Sequence, residues 1–264
     1  MTTTRRTLLA GSAAIAAGSV LSTTAAQAHT SAHGPEPTIV LVHGAFADAS
    51  GWNDVAHRLI RDGFPVLVPA NPLRSVSSDS AYLAGILATI DGPVVLAAHS
   101  YGGIVSTNAA TGNANVTALV YVAAFMPDHG ETLLDLQTRY PGSRLNEAAL
   151  DFRPYGGGLV DGYIKREVFR DVFAADVPRA TTELMWAGQR PADTRTLGEP
   201  SAAPAWRTIP SWYLVARNDR VLPAVAQRFM AQRADAHVRE VSASHVAMIS
   251  HPAVTADLIK RAAG

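Results

Sequence analysis

The chain has 264 residues, 48% of them hydrophobic and 17% charged, which suffices for one large domain or two small ones around a sizeable core. Lys+Arg and Asp+Glu are equal at 22 each and no basic stripe is visible, so nucleic acid is not an expected partner. The absence of cysteine excludes disulfides, thiol nucleophiles and thiolate metal sites.

The N-terminus reads as a targeting segment rather than part of a fold. Arg5 and Arg6 are followed by a modest apolar stretch and by Ala26-Gln27-Ala28. That order of charged region, apolar region and small-x-small site predicts a signal peptide over 1–28, and the arginine pair resembles a twin-arginine export signal. The apolar stretch is rich in Ala, Gly and Ser and falls short of the roughly 20 strongly apolar residues a span needs, so no stable membrane anchor is expected after cleavage. Removal of the segment takes away two arginines and no acid, and the expected location is secreted or periplasmic. Residues 29–37, "HTSAHGPEP", read as a linker.

From residue 38 onward buried strands and helices alternate. "TIVLVHG" is a continuous apolar run with β-branched residues, the pattern of a strand covered on both faces. Trp52, Val55, Ala56, Leu59 and Ile60 then recur at helical spacing as one buried stripe, ended by Gly63. "FPVLVPA" predicts a second strand, "DSAYLAGILATI" a helix, "PVVLAAHS" a third strand, "IVSTNAATG" a third helix and "VTALVYVAAF" a fourth strand. The pattern breaks after Pro127. Residues 128–205 hold short helical stretches, a "YGGG" turn and many aromatics, and show no buried strand. "PSWYLVA" restores a strand, followed by the helix "LPAVAQRFMAQRA", the weaker strand "HVREVSA" and the terminal helix "PAVTADLIKRAA". The layout is an α/β core over 38–127 and 206–264, with a mostly parallel sheet, helices on both faces and a helical insertion between.

Four short segments carry chemistry, each at the carboxyl end of a predicted strand. In Ala98-His99-Ser100-Tyr101-Gly102 a serine sits on a strand-to-helix bend, which lifts its hydroxyl clear of the backbone. A serine hydroxyl is a poor nucleophile until a base takes its proton. His245, in the small-residue loop "VSASHVAMISHP", is the candidate base. Asp219 in "YLVARNDRVLP" is the candidate acid that orients the imidazole, although Asn218-Asp219 also reads as a plain turn. Asp128, just after the fourth strand, is the alternative acid; with Glu131 three residues later it reads equally as a helix cap. In His43-Gly44-Ala45 the glycine turns the backbone, leaving the amide of Ala45, together with that of Tyr101, as candidate donors to an oxyanion. His57 and His251 read as helix-surface and helix-start residues, His43 and His99 as supports of the two turns, and His29 and His33 fall in the linker.

With the chain order Ser100, Asp219, His245, the sequence resembles an α/β-hydrolase over nearly all of residues 38–264. "LVHGAFADASGW", "AHSYGG" and "SHVAMISHP" resemble more narrowly the small cofactor-free branch that holds methylesterases, hydroxynitrile lyases and cofactor-free haloperoxidases. The resemblance implies that residues 128–205 cap the active site, that neither metal nor organic cofactor is needed, and that the reaction is cleavage of a carboxylic ester or lactone through an acyl-enzyme. Lyases of this branch carry a lysine after the histidine and a threonine in the oxyanion turn; Val246 and Gly44 occupy those places here. A peroxide-using activity on the same triad, and a slow-turnover ligand receptor, remain open alternatives. Leu133, Leu134, Leu136, Phe152, Leu159, Phe169, Leu184, Met185 and Trp186 make the insertion apolar, and no Arg or Lys can be assigned to the pocket. An uncharged, apolar small molecule is therefore the expected substrate. Oligomeric state leaves no trace in the sequence.

Overall fold

The computed structural model describes residues 36–264. The export signal expected over 1–28 and residues 29–35 of the linker lie outside the described residues. Strand β1 (Thr38–Val42) is followed by helix α1 (Asn53–Arg61), β2 (Val66–Leu67), α2 (Val76–Leu87), β3 (Val94–His99), α3 (Gly102–Ala109) and β4 (Val116–Val122). The insertion contributes α4 (Leu133–Thr138), β5 (Leu150–Gly156), β6 (Leu159–Ile164), α5 (Arg166–Phe173), α6 (Arg179–Ala187), β7 (Ala192–Asp193) and α7 (Arg195–Gly198). The core resumes with β8 (Ser211–Ala216), α8 (Ala224–Arg233), β9 (His237–Val241), α9 (Ala247–Ser250) and α10 (Pro252–Ala263).

The main sheet is six-stranded and parallel, in the order β2-β1-β3-β4-β8-β9. Side chains alternate across a strand, so a continuous apolar run feeds both faces. Val40 and Val42 join Leu96, Leu83, Ile104 and Met230 in one core beneath α2, α3 and α8. Ile39 and Leu41 join Val95, Leu59, Leu258 and Ile259 in a second core beneath α1 and α10. The stripe of α1 is narrower than expected: Trp52, Val55, Ala56 and Leu59 are buried, whereas Ile60 is exposed at its rim. "FPVLVPA" pairs over only two residues, because β2 is an edge strand flanked by Pro65 and Pro69, neither of which can donate to a ladder.

The insertion is not purely helical. It contains a three-stranded antiparallel sheet, β5-β6-β7, whose first two strands form a hairpin turned by Gly157 and Gly158, both at positive φ. Strand β5, Leu150 apart, is exposed along its length and carries Arg153 and Pro154, so the apolar run that marks a core strand is missing. β5 is held by pairing along the hairpin, while β6 and β7 supply the sheet's buried residues, Ile164 and Ala192 among them.

Two features of the main sheet locate the site. The chain steps outward from β1 to β2 and then returns to the other side of β1 for β3, and ligands in open α/β sheets bind where the order reverses in this way. At that crevice the backbones are too close for side chains. A Cβ on Gly102 would lie 2.8 Å from the Val42 carbonyl oxygen, and one on Gly103 would lie 2.2 Å from that of Phe125. Helix α3 thus starts against both neighbouring turns. Gly103→Ala is expected to cost about 1–3 kcal/mol in urea unfolding, through overpacking against backbone that cannot yield. Gly85→Ala, in an open stretch of α2 with nothing within 4 Å, is expected to be neutral or to stabilise by up to about 1 kcal/mol.

Candidate active site

Ser100 occupies the bend between β3 and α3 with φ of 51°, a left-handed backbone that an L-residue other than glycine rarely adopts. Its carbonyl accepts from the amides of Gly103 at 2.9 Å and Phe125 at 3.1 Å, which pins the bend from both sides. The loops after β8 and β9 lie side by side, joined by Arg217 N to Val241 O and Asn218 N to Ala243 O. They bring the expected residues together. His245 Nε2 lies 2.8 Å from Ser100 Oγ, and His245 Nδ1 lies 2.7 Å from Asp219 Oδ2. All three side chains are buried.

The carboxylate of Asp219 divides its work between its oxygens. Oδ1 accepts the amides of Val221 and Leu222 at 2.7 and 2.9 Å, which builds the turn; Oδ2 faces His245 and also accepts from Gln227 Nε2 at 2.8 Å. Asp219 thus both builds its turn and faces the His245 imidazole. Asp128 is elsewhere. Its oxygens hold the Arg207 guanidinium, Oδ2 to Nη2 at 2.6 Å, and that bond keeps the carboxyl below the usual aspartate range. Nor does Asp128 cap a helix: α4 begins at Leu133 under a capping box formed by Thr132 and Asp135.

The turn after β1 approaches the serine closely. A Cβ on Gly44 would lie 2.6 Å from Ser100 Cβ, so only glycine fits there. Phe46 N is committed to the Arg190 carbonyl at 3.0 Å, whereas among the described residues the amides of Ala45 and Tyr101 have no hydrogen-bond acceptor. Both residues line the cavity beside Ser100. The Tyr101 side chain points away to α2, where its hydroxyl donates to Asp79 Oδ2 at 2.7 Å, and burial together with that carboxylate pushes the phenol well above its ordinary value.

The two supporting histidines are fixed as neutral groups. His43 Nδ1 donates to the Gly44 carbonyl while its Nε2 accepts the Asn71 amide at 3.0 Å, which settles the tautomer and braces the turn. His99 Nε2 donates to the His245 carbonyl at 3.0 Å. Burial, and secondarily the neighbouring His245, hold His99 well below the ordinary histidine range.

Other contacts at the site had no visible sequence signal. Gln227 is fully buried in α8: its Oε1 accepts Ala216 N, and its Nε2 reaches both Asp219 and the Leu222 carbonyl. Asp176, in the insertion, accepts both the amide and the hydroxyl of Ser244, the residue before His245. The insertion therefore grips the histidine loop directly.

A cavity of about 300 Å³ opens above Ser100, with core residues on one side and the insertion on the other. Phe46, Phe125, Leu133, Leu150, Phe173 and Leu197 give it an apolar lining. Of the expected insertion residues, Leu133, Leu134 and Phe152 line it, while Leu136 and Phe169 are core and Leu184 is exposed. Its ionisable walls are Glu147 and Asp193, with no Lys or Arg in the lining. Burial alone would raise the Asp193 carboxyl, but the Arg195 guanidinium and the Tyr155 hydroxyl outweigh it and hold the group at about 2. Among the described residues no group of three His, Asp or Glu side chains is disposed to hold a metal ion.

A parallel sheet with a serine bend, a histidine and an aspartate at its carboxyl edge is the arrangement of the α/β-hydrolase fold. A family model for the alpha/beta hydrolase family matches residues 39–258, and the chain belongs to that family. It is 25% identical over 252 residues to an alpha/beta hydrolase of Aspergillus novofumigatus, covering 87% of this chain and 97% of that one. It is 28% identical over 240 residues to a pyrethroid hydrolase of Sphingobium wenxiniae (84% and 85%). A Nocardioides carbendazim hydrolyzing esterase is 34% identical over 113 residues, 37% of this chain and 46% of that one. Among solved structures, a pyrethroid hydrolase superposes with a TM-score of 0.70 at 26% identity, covering 86% of this chain and 97% of that one. Polyneuridine aldehyde esterase does so with 0.75 at 20% identity (86% and 99%), a likeness of fold. Family and esterase relatives together make the protein a carboxylic ester hydrolase.

Proposed function

We propose that the protein is an exported esterase that cleaves an uncharged, apolar carboxylic ester or lactone through an acyl-enzyme on Ser100. The observation that carries this reading is the continuous hydrogen-bonded chain from Ser100 Oγ through His245 to Asp219 beneath an apolar cavity. His245 Nε2 takes the Ser100 proton as Oγ attacks the ester carbonyl carbon. The amides of Ala45 and Tyr101 donate to the oxyanion, which α3 also faces with its amino end. His245 then returns the proton to the departing alkoxide and the alcohol leaves. Water next gives its proton to His245 as it attacks the acyl carbon, the acid departs, and Ser100 regains its proton. Asp219 holds the Nδ1–H throughout and stabilises the transient imidazolium.

The relatives named for pyrethroid and carbendazim hydrolysis support a small-molecule substrate. The lack of a basic wall, with Glu147 in the lining and the Asp193 carboxylate already paired with Arg195, favours a substrate without negative charge. A lyase-type threonine in place of Gly44 would collide with Ser100, which argues against cyanohydrin chemistry. Export rests on the Arg5-Arg6 pair and on Ala26-Gln27-Ala28, both upstream of β1.

The acid is tested by paired variants. Asp219→Asn is expected to remain folded and lose about 10⁴-fold in kcat, the scale seen when a triad acid is neutralised. Asp128→Asn loses one surface ion pair and is expected to cost at most about 1 kcal/mol of stability, with kcat within a small factor of wild type. An exchange of these two behaviours would place the acid at Asp128. For the substrate, matched neutral and anionic esters of equal size should differ in kcat/KM in favour of the neutral one, and preference for the anion would refute the charge argument. For export, material secreted by the native host should begin near His29 by mass spectrometry, with secretion lost when Arg5 and Arg6 are both changed to Lys. Secretion of chain with residues 1–28 intact would contradict cleavage there.

A further inference from the structure

Phe46 stands between two cavities. One is the cavity above Ser100, about 300 Å³. The other, about 360 Å³, lies among the turn at residues 47–51, the start of α1, helix α6 and Ile249 of α9, and among the described residues Phe46 is the one that lines both. This second cavity is open to solvent along one side: Ala47, Met185, Ile249 and the exposed Leu184 supply its apolar wall, and Asp48, Asn53, Asp54 and Thr181 its polar rim.

The ring is held in that position by more than packing. Phe46 has φ of 57°, a left-handed conformation that is an outlier for a bulky residue. Its amide is tied to Arg190 O at 3.0 Å, and its ring meets Phe173 edge-on with centroids 6.4 Å apart. Phe173 in turn contacts the His245 ring, 5.2 Å between centroids. Strain of this kind persists where the surrounding structure enforces it, and it clusters at ligand-contacting sites. Phe46 directly follows Ala45 and both line the cavity above Ser100, so the Phe46 side chain is part of the wall between that cavity and the space beside α6.

We propose that Phe46 is the specificity-determining wall of the esterase: it sets the length of unbranched apolar chain the active-site cavity accepts, and the cavity behind it is the space it withholds. The inference rests on the reading of Ser100 as nucleophile. It adds a second subsite for an alkyl chain, separated from the first by one side chain.

The test measures kcat/KM for two series of neutral esters, 4-nitrophenyl esters of lengthening acids and hexanoate esters of lengthening alcohols. Phe46→Ala is expected to raise the long-to-short ratio at least about tenfold in one series, which also identifies the arm that meets Phe46. Phe46→Leu should move the ratio in the same direction by less, and serves if the alanine variant folds poorly. Met185→Trp fills the second cavity from α6. Alone it should leave the ratio unchanged, and combined with Phe46→Ala it should return the ratio to the wild-type value. A general loosening of the oxyanion turn would lower all rates without that restoration. Unchanged ratios in both series for both Phe46 variants, or a raised ratio that Met185→Trp does not reverse, would overturn the proposal. Failure of wild-type protein to hydrolyse any ester and to react with a fluorophosphonate at Ser100 would instead remove the catalytic reading, and the wall with it.

Discussion

The left-handed backbone at Ser100 is the constraint from which the rest of the site follows. A residue with a side chain loses about 1–2 kcal/mol in that conformation, and the molecule offsets it with bonds from Gly103 N and Phe125 N to the Ser100 carbonyl. Those bonds require α3 to begin against the turns that end β1 and β4, and the approach leaves no room for a Cβ at Gly44, Gly102 or Gly103. Ala45 and Tyr101 both line the cavity beside Ser100. Fold and chemistry thus meet in one short bend whose strain is held by backbone hydrogen bonds rather than by the reacting groups.

Around that bend, a few buried polar side chains brace the turns. Asp219 builds its own turn with one oxygen and holds His245 with the other, while Gln227 ties the carboxylate to the end of β8. His43 and His99 are neutral braces, one for the β1 turn and one for the histidine loop. Asp176 carries the insertion's grip onto Ser244. The insertion is therefore both a wall of the cavity and a support for the loop that carries His245, so changes in its packing reach the site through two routes.

Much of this was legible in the chain because parallel strands buried on both faces write continuous apolar runs. Strands β1, β3, β4 and β8 and the loops that follow them were read from such runs, with Ser100, Asp219 and His245 in their expected order. What stayed hidden lacked a local signature. Strand β5 lies largely exposed, β7 is only two residues long, and β6 carries Asp161 and Gly162 in its middle, so none of them writes a continuous apolar run. The stripe of α1 ran one residue too far, to Ile60, because periodicity marks a face but not where its cover ends. Gln227 and Asp176 act through partners distant in sequence, and a lone Gln in a helix or Asp in a loop carries no pattern that points to them. Asp128 and Asp219 looked alike as acids after a strand; Arg207, 79 residues from Asp128, made the difference.

The central claim is that Ser100 becomes covalently acylated in the course of ester cleavage. Rapid quenching of wild-type protein with a neutral 4-nitrophenyl ester, followed by intact-mass and peptide mass spectrometry, tests it most directly. The account predicts a transient mass increase of one acyl group, carried by the peptide that contains Ser100 and lost as turnover completes. Turnover with no adduct at any quench time, or an adduct on another residue, would contradict it.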